Sequence, residues 1–285
     1  MQFTRRNVLI AGGGAVLLLG ILAFANRPAR VVTRAVTALA AADTGAFVAT
    51  IELANAQAAA PVLGEPGTVE VKLTGVFSRG AQANQRDRLQ ADVVITAKSD
   101  SVTLAVEGEV RFVDDQAYVL IKKAPPGALN PLKGVWLELP RGQASQPATT
   151  TVSEDLFTDV KRAGTEKLGE ETVVKYTAIA RETAVVRMMD GIAELLGTRL
   201  TDAQVAEIMV SVQRAGQVPT EVWISRWGTT LRRLAATVDV PGGNAMRFVL
   251  TMTDINLKTN IMVPENAVPI NEAMGALNAA ARNGQ

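Results

Sequence analysis

The chain has 285 residues with Lys+Arg 29 against Asp+Glu 28, a net charge of +1, and no basic run long enough to neutralise a row of phosphates. The densest basic string, Gln85-Arg86-Asp87-Arg88, is short and interrupted by an acid, so nucleic acid is not an expected partner. There is no cysteine and no histidine, which excludes disulfides, thiolate metal sites and Cys nucleophiles, and removes the commonest general base and metal ligand.

From Val8 to Ala25 the sequence reads VLIAGGGAVLLLGILAFA, eighteen residues without a charge. That length lies between a membrane-spanning helix and the apolar region of a signal peptide. Arg27, Arg30 and Arg34 beyond it favour an uncleaved anchor, whereas Ala23-Phe24-Ala25 has the small-x-small form of a cleavage site. Thr4-Arg5-Arg6 ahead of the apolar run resembles a twin-arginine export signal, with departures at Val8 and Ile10. Residues 1–28 are therefore read as signal peptide or anchor and 29–285 as the exported part, membrane-anchored or free in the periplasm or extracellular space.

The exported part opens on ARVVTRAVTALAAA, with Val32, Val36 and Leu39 at helical spacing and Gly45 as the expected helix stop. A series of strands follows. FVATIELA comes first, then TVEVKLTGVF, whose Val69, Val71, Leu73 and Phe77 share one face while Glu70, Lys72 and Thr74 share the other. The same period of two runs through Leu89, Ala91, Val93 and Ile95, through Val102, Leu104 and Val106, and through 117–122. Lys98-Ser99-Asp100-Ser101 and Val113-Asp114-Asp115-Gln116 read as hairpin turns. This is the pattern of an antiparallel meander with one covered and one wetter face.

Pro125-Pro126-Gly127 interrupts the meander, Val135 to Leu139 is a short strand, and 142–151 is a Gly/Ser/Gln/Pro/Thr loop. Ser153 is placed to cap a short helix carrying Leu156, Phe157 and Val160. A hairpin is expected around Leu168-Gly169. Val185, Met188, Ile192 and Leu195 then mark an amphipathic helix closed by Gly197. Thr201-x-x-Gln204 opens a second helix with Val205, Ile208, Met209 and Val212 on one side. Strands resume at 219–225, 230–234 and 246–254, and an Ala-rich helix ends the chain.

AGTEKLGEETVVKYTA, EVWIS, LRRL, FVLTMTDIN and IMVPENAVPI follow one another in an order that resembles the LolA-like carriers of the bacterial envelope, in particular the LppX/LprG-like lipoproteins of mycobacteria. The resemblance spans about residues 30–272 and departs from the lipoprotein members in lacking a cysteine to acylate. It implies an α+β fold: a curved antiparallel half-barrel with helices on its concave face, preceded by the N-terminal hydrophobic helix. It also implies a non-catalytic function, binding lipids or lipoprotein acyl chains in an apolar cavity. The candidate lining is Val185, Met188, Ile192, Leu195, Val205, Ile208, Met209 and Val212 from the helices, with Val71, Leu73 and Phe77 from the sheet.

Met is an adaptable side chain suited to ligands of varied shape, although Met188, Met189 and Met209 fit an ordinary core equally well. No cofactor or metal is expected. Expected partners are a lipid or acylated ligand, the membrane through the N-terminal segment, and a membrane protein. The alternative function is an envelope interaction or sensor module that regulates such a partner without carrying lipid. The acid pairs Asp114-Asp115 and Glu170-Glu171 sit in expected turns, where acids are ordinarily solvated, and Ser153-Glu154-Asp155 reads as capping chemistry. An enzyme is not expected.

Overall fold

The structure is a computed structural model that describes residues 28–40, 42–56, 67–78, 88–114, 116–125, 130–140, 156–186, 201–227, 230–240 and 244–283. The apolar segment 8–25 and the loop 142–151 lie outside these residues. No helix among the described residues is long and apolar enough to cross a membrane.

Among the described residues a helix, α1 (Pro28–Ala40), leads into twelve strands. The first six are β1 (Thr44–Ala56), β2 (Gly67–Ser78), β3 (Arg88–Lys98), β4 (Thr103–Val113), β5 (Gln116–Lys123) and β6 (Trp136–Glu138). Then come β7 (Phe157–Leu168), β8 (Glu171–Ala180), the helix α2 (Asp202–Ala215), β9 (Val218–Ser225), β10 (Leu231–Val240) and β11 (Asn244–Ile255). The two-residue β12 (Val268–Pro269) and the helix α3 (Ile270–Asn283) end the chain. All strands join one curved, unclosed sheet in the order β12-β6-β5-β4-β3-β2-β1-β11-β10-β9-β8-β7. Every pairing is antiparallel except β12 with β6.

The period of two decides the two faces, because partners across a ladder share a face. One row runs Ala236, Phe248, Ile51, Val71, Ile95, Val106 across six strands. A parallel row runs Val238, Met246, Leu53, Val69, Ala97, Leu104. Both rows of this inner face are apolar, and only the buried Thr220, paired with Ala236, adds a hydroxyl to the first of them on β9. The outer face carries Lys72, Asp92, Glu109, Arg111 and Lys122. There the buried Glu109 carboxylate accepts from Gln90 Nε2 (2.9 Å) and Arg111 Nε (2.9 Å) and lies 3.0 Å from Lys122 Nζ.

Helix α1 crosses the inner face of β7–β10. Its buried Val32 and Ala35 pack on Val174, Tyr176, Val222, Ile224 and Leu231, and Leu39 reaches on towards Phe47 and Met252. Thirteen residues at 1.5 Å each give about 20 Å, the width of four strand spacings. The helix closes with Ala42 N donating to Leu39 O (3.1 Å). Gly45 is not its stop. It lies inside β1, where a Cβ would come 2.7 Å from the Phe77 ring, so its lack of a side chain serves packing.

On the outer face the chain leaves β11 through Asn256 (φ 63°) and straps across to the far edge. Thr44 Oγ1 donates to Leu257 O (2.7 Å), Arg88 to Ile261 O (3.1 Å) and Arg111 to Met262 O (3.2 Å). Ile261, 2% exposed, seals against Val113 and Tyr118, with Val76, Trp136 and Ala267 around them. That crossing explains why β12 runs parallel to β6: it arrives over the face rather than through a hairpin.

The expected helix at 153–160 is corrected for its described part. Residues 157–160 begin the edge strand β7, whose ladder slips between Thr158 and Lys161, with Asp159 at φ 50°. A bulge adds one residue, so Phe157 and Val160, three apart, fall on the same side and both pack beneath α1. Spacing of three therefore imitated a helix. The expected hairpin at Leu168-Gly169 is present, with Gly169 at φ 62°.

Candidate functional site

The inner face is covered unevenly. Over β9 and β10 it is closed by α2 and by a helical turn at 182–186, through Val185 and Val212, which pack with Val218, Ala236 and Val238. Towards α1 and its C-terminal end it is closed again, by the cluster of Phe47, Ala49, Leu73, Leu89, Ala91 and Met252. Between these, over β1–β4, the two apolar rows thin out. Phe248 and Ala236 are buried, but Ile51, Val71 and Val106 are only half-buried and Ile95 is 39% exposed. In the neighbouring row Leu53, Val69, Ala97 and Leu104 touch one another with no fully buried residue among them.

The result is an apolar trough whose floor is the pleated surface of β1–β4. Its curvature needs strands to approach closely. At Gly75 a Cβ would stand 2.2 Å from the Gln90 carbonyl oxygen and 2.6 Å from the Ala91 Cβ, so only glycine fits there.

Of the residues expected to line a cavity, Val71, Leu73 and Phe77 do share this face. Val71 lies on the open floor, while Leu73 and Phe77 belong to the closed cluster at its end. Val185 and Val212 are likewise closed core rather than floor. Val205 and Met209 are half-buried on α2, and the Ile208 side chain, Met188, Ile192 and Leu195 lie outside the described residues. Ile51, Ile95 and Val106 were not expected to line a site. Their alternation was visible, but only the register sets them in one row with Val71.

The trough holds no titratable group on its named rows. Among the described residues no cluster of His, Cys, Asp or Glu could hold a metal. Near the closed end, burial raises the Tyr176 phenol above its ordinary value. On the outer face Lys122 is also raised, chiefly by its hydrogen bond to Asp92 (2.6 Å) and then by Glu109 against the opposing effect of burial. Two shallow cavities lie away from the trough. One, of about 230 Å³, lies at the β6–β12 edge around Gln116, Glu138 and Asn271. The other, of about 520 Å³, lies at the β7–β8 and β9–β10 turns.

No family model matches the sequence, and no curated protein matches it. Among solved structures the chain is similar to the lipoprotein LppX of Mycobacterium tuberculosis, at 16% identity and a TM-score of 0.42, over 82% of this chain and 98% of that one. It is also similar to LprF of Mycobacterium bovis, at 12% identity and a TM-score of 0.44, over 85% of this chain and 97% of that one. LppX is the protein whose group the sequence resembles.

Proposed function

We propose that the protein is a non-catalytic component of the cell envelope that holds a lipid, or the acyl chain of a lipoprotein, in the trough over β1–β4, with helices on the concave face of the half-barrel. The observation that carries this reading is the row Ile51, Val71, Ile95, Val106: aliphatic side chains in register, facing inwards on a curved sheet, and incompletely covered. Such a surface gains about 0.8 kcal/mol for each CH₂ it removes from water, and selects on length and shape rather than on headgroup chemistry. Helix α2, which lies against β10, carries the half-buried Val205 and Met209, and methionine is an adaptable side chain that can follow different acyl shapes.

The test is extraction of the purified full chain with organic solvent, followed by mass spectrometry. Near-stoichiometric acyl species are expected from the wild type. Ile95→Asp, which sets a carboxylate on the open floor, should strip them while the protein stays folded. A chain that never carries acyl species would end the carrier reading and leave an envelope interaction module.

A further inference from the structure

Two hairpin turns stand side by side at one end of the sheet, β7–β8 at Gly169–Glu170 and β9–β10 at Arg226–Trp227. Arg226 N ties them by donating to Thr172 O (3.2 Å). Trp227 is 89% exposed, the largest value among the exposed large hydrophobics of the described residues. The Arg226 guanidinium lies over its ring at 4.9 Å. Beside the ring opens the cavity of about 520 Å³, lined by Glu170, Glu171, Thr172, Ser225, Arg226, Trp227 and Arg232. Arg232 Nε lies 2.7 Å from Glu171 Oε2, so the lining holds two positive and two negative groups, one pair of them already matched.

From this geometry we infer that the two turns dock the protein on a phospholipid surface, with the Trp227 ring in the interfacial layer and a zwitterionic headgroup between Arg226 and Glu170. An indole has an apolar body and a polar edge, which places it at the boundary of water and hydrocarbon. A phosphate fits beside Arg226 and an ammonium beside Glu170, and the balanced charge suits a zwitterionic rather than a strongly anionic surface.

Chain continuity points the same way. The uncharged stretch 8–25 ends three residues before α1 begins at Pro28. Val31 and Val32 of α1 belong to the same apolar cluster as Ile224 and Leu231, the paired residues that lead into and out of the Trp227 turn. The inference rests on the envelope part of the proposed function and not on its cargo.

The full chain is reconstituted into vesicles of phosphatidylcholine and phosphatidylethanolamine, a share of them with brominated acyl chains, and tryptophan emission is recorded. Blue-shifted emission with strong bromine quenching is expected, largely unchanged by added salt. Trp227→Phe should lose most of the quenching at an unaltered melting temperature, because the emission that remains comes from Trp136 and Trp223. Equal quenching in wild type and Trp227→Phe overturns the inference. So does aqueous acrylamide reaching Trp227 on vesicles as freely as in detergent, the outcome expected of a protein partner, and so does a chain that does not associate with vesicles. Acyl cargo is read separately by solvent extraction, so loss of docking and loss of carriage are distinguishable.

Discussion

Ile261 and Ile95 allow one substitution to be made on opposite faces of the sheet with opposite consequences. Isoleucine to alanine removes three carbons, a transfer loss of about 2.4 kcal/mol for a fully covered side chain. Ile261 is 2% exposed and enclosed by Val113, Tyr118, Val76 and Trp136, so a cavity is left and the total rises to about 3.5 kcal/mol. Ile95 is 39% exposed, so about six-tenths of the transfer loss applies, or about 1.5 kcal/mol. No cavity term arises on an open floor, and the extended-chain reference overstates burial, so about 1 kcal/mol is expected. In a thermal melt these become losses of about 10 °C for Ile261→Ala and about 3 °C for Ile95→Ala. Retained acyl species, measured per mole of folded protein, should move the other way: about fivefold lower in Ile95→Ala, unchanged in Ile261→Ala. Similar destabilisation by both variants would refute the argument, because it would mean that the floor of the trough is ordinary closed core.

Other expectations follow from single contacts. Gly75→Ala should cost about 2 kcal/mol in urea unfolding, since its Cβ meets the backbone of β3, whereas Gly275→Ala on α3, with nothing within 4 Å, should stabilise by up to about 1 kcal/mol. Glu109→Leu should cost about 2 kcal/mol, measured the same way, by leaving Arg111 and Gln90 without their shared acceptor; a loss below about 0.5 kcal/mol would show the network to be surface decoration. The folded-state values of Tyr176 and Lys122 are both raised, from 10.0 and 10.5, so their contributions are complete below those values and fall as pH rises through the folded ones. Melting temperature should therefore decline above about pH 10, and Tyr176→Phe should soften that decline.

The alternation of Glu70, Lys72 and Thr74 against Val69, Val71 and Leu73 was legible in the sequence because one strand's pleat is a local property. So were the β7–β8 hairpin, set by glycine at a positive φ, and the start of α2 after Thr201. The Phe157–Val160 spacing misled because a bulge changes parity without changing composition, and Gly45 misled because its constraint is the Phe77 ring, a partner distant in sequence. The trough has the same origin. Ile51, Val71, Ile95 and Val106 are each unremarkable in their own strands, and among the described residues only the inter-strand register and the positions of α1 and α2 leave that row incompletely covered. The parallel β12 belongs with them, because a strap over a sheet face leaves no periodic mark in the chain that makes it. Sequence by itself determined which side of each strand is apolar. The tertiary structure decided which part of the combined apolar face stays open, since coverage depends on elements far apart in the chain.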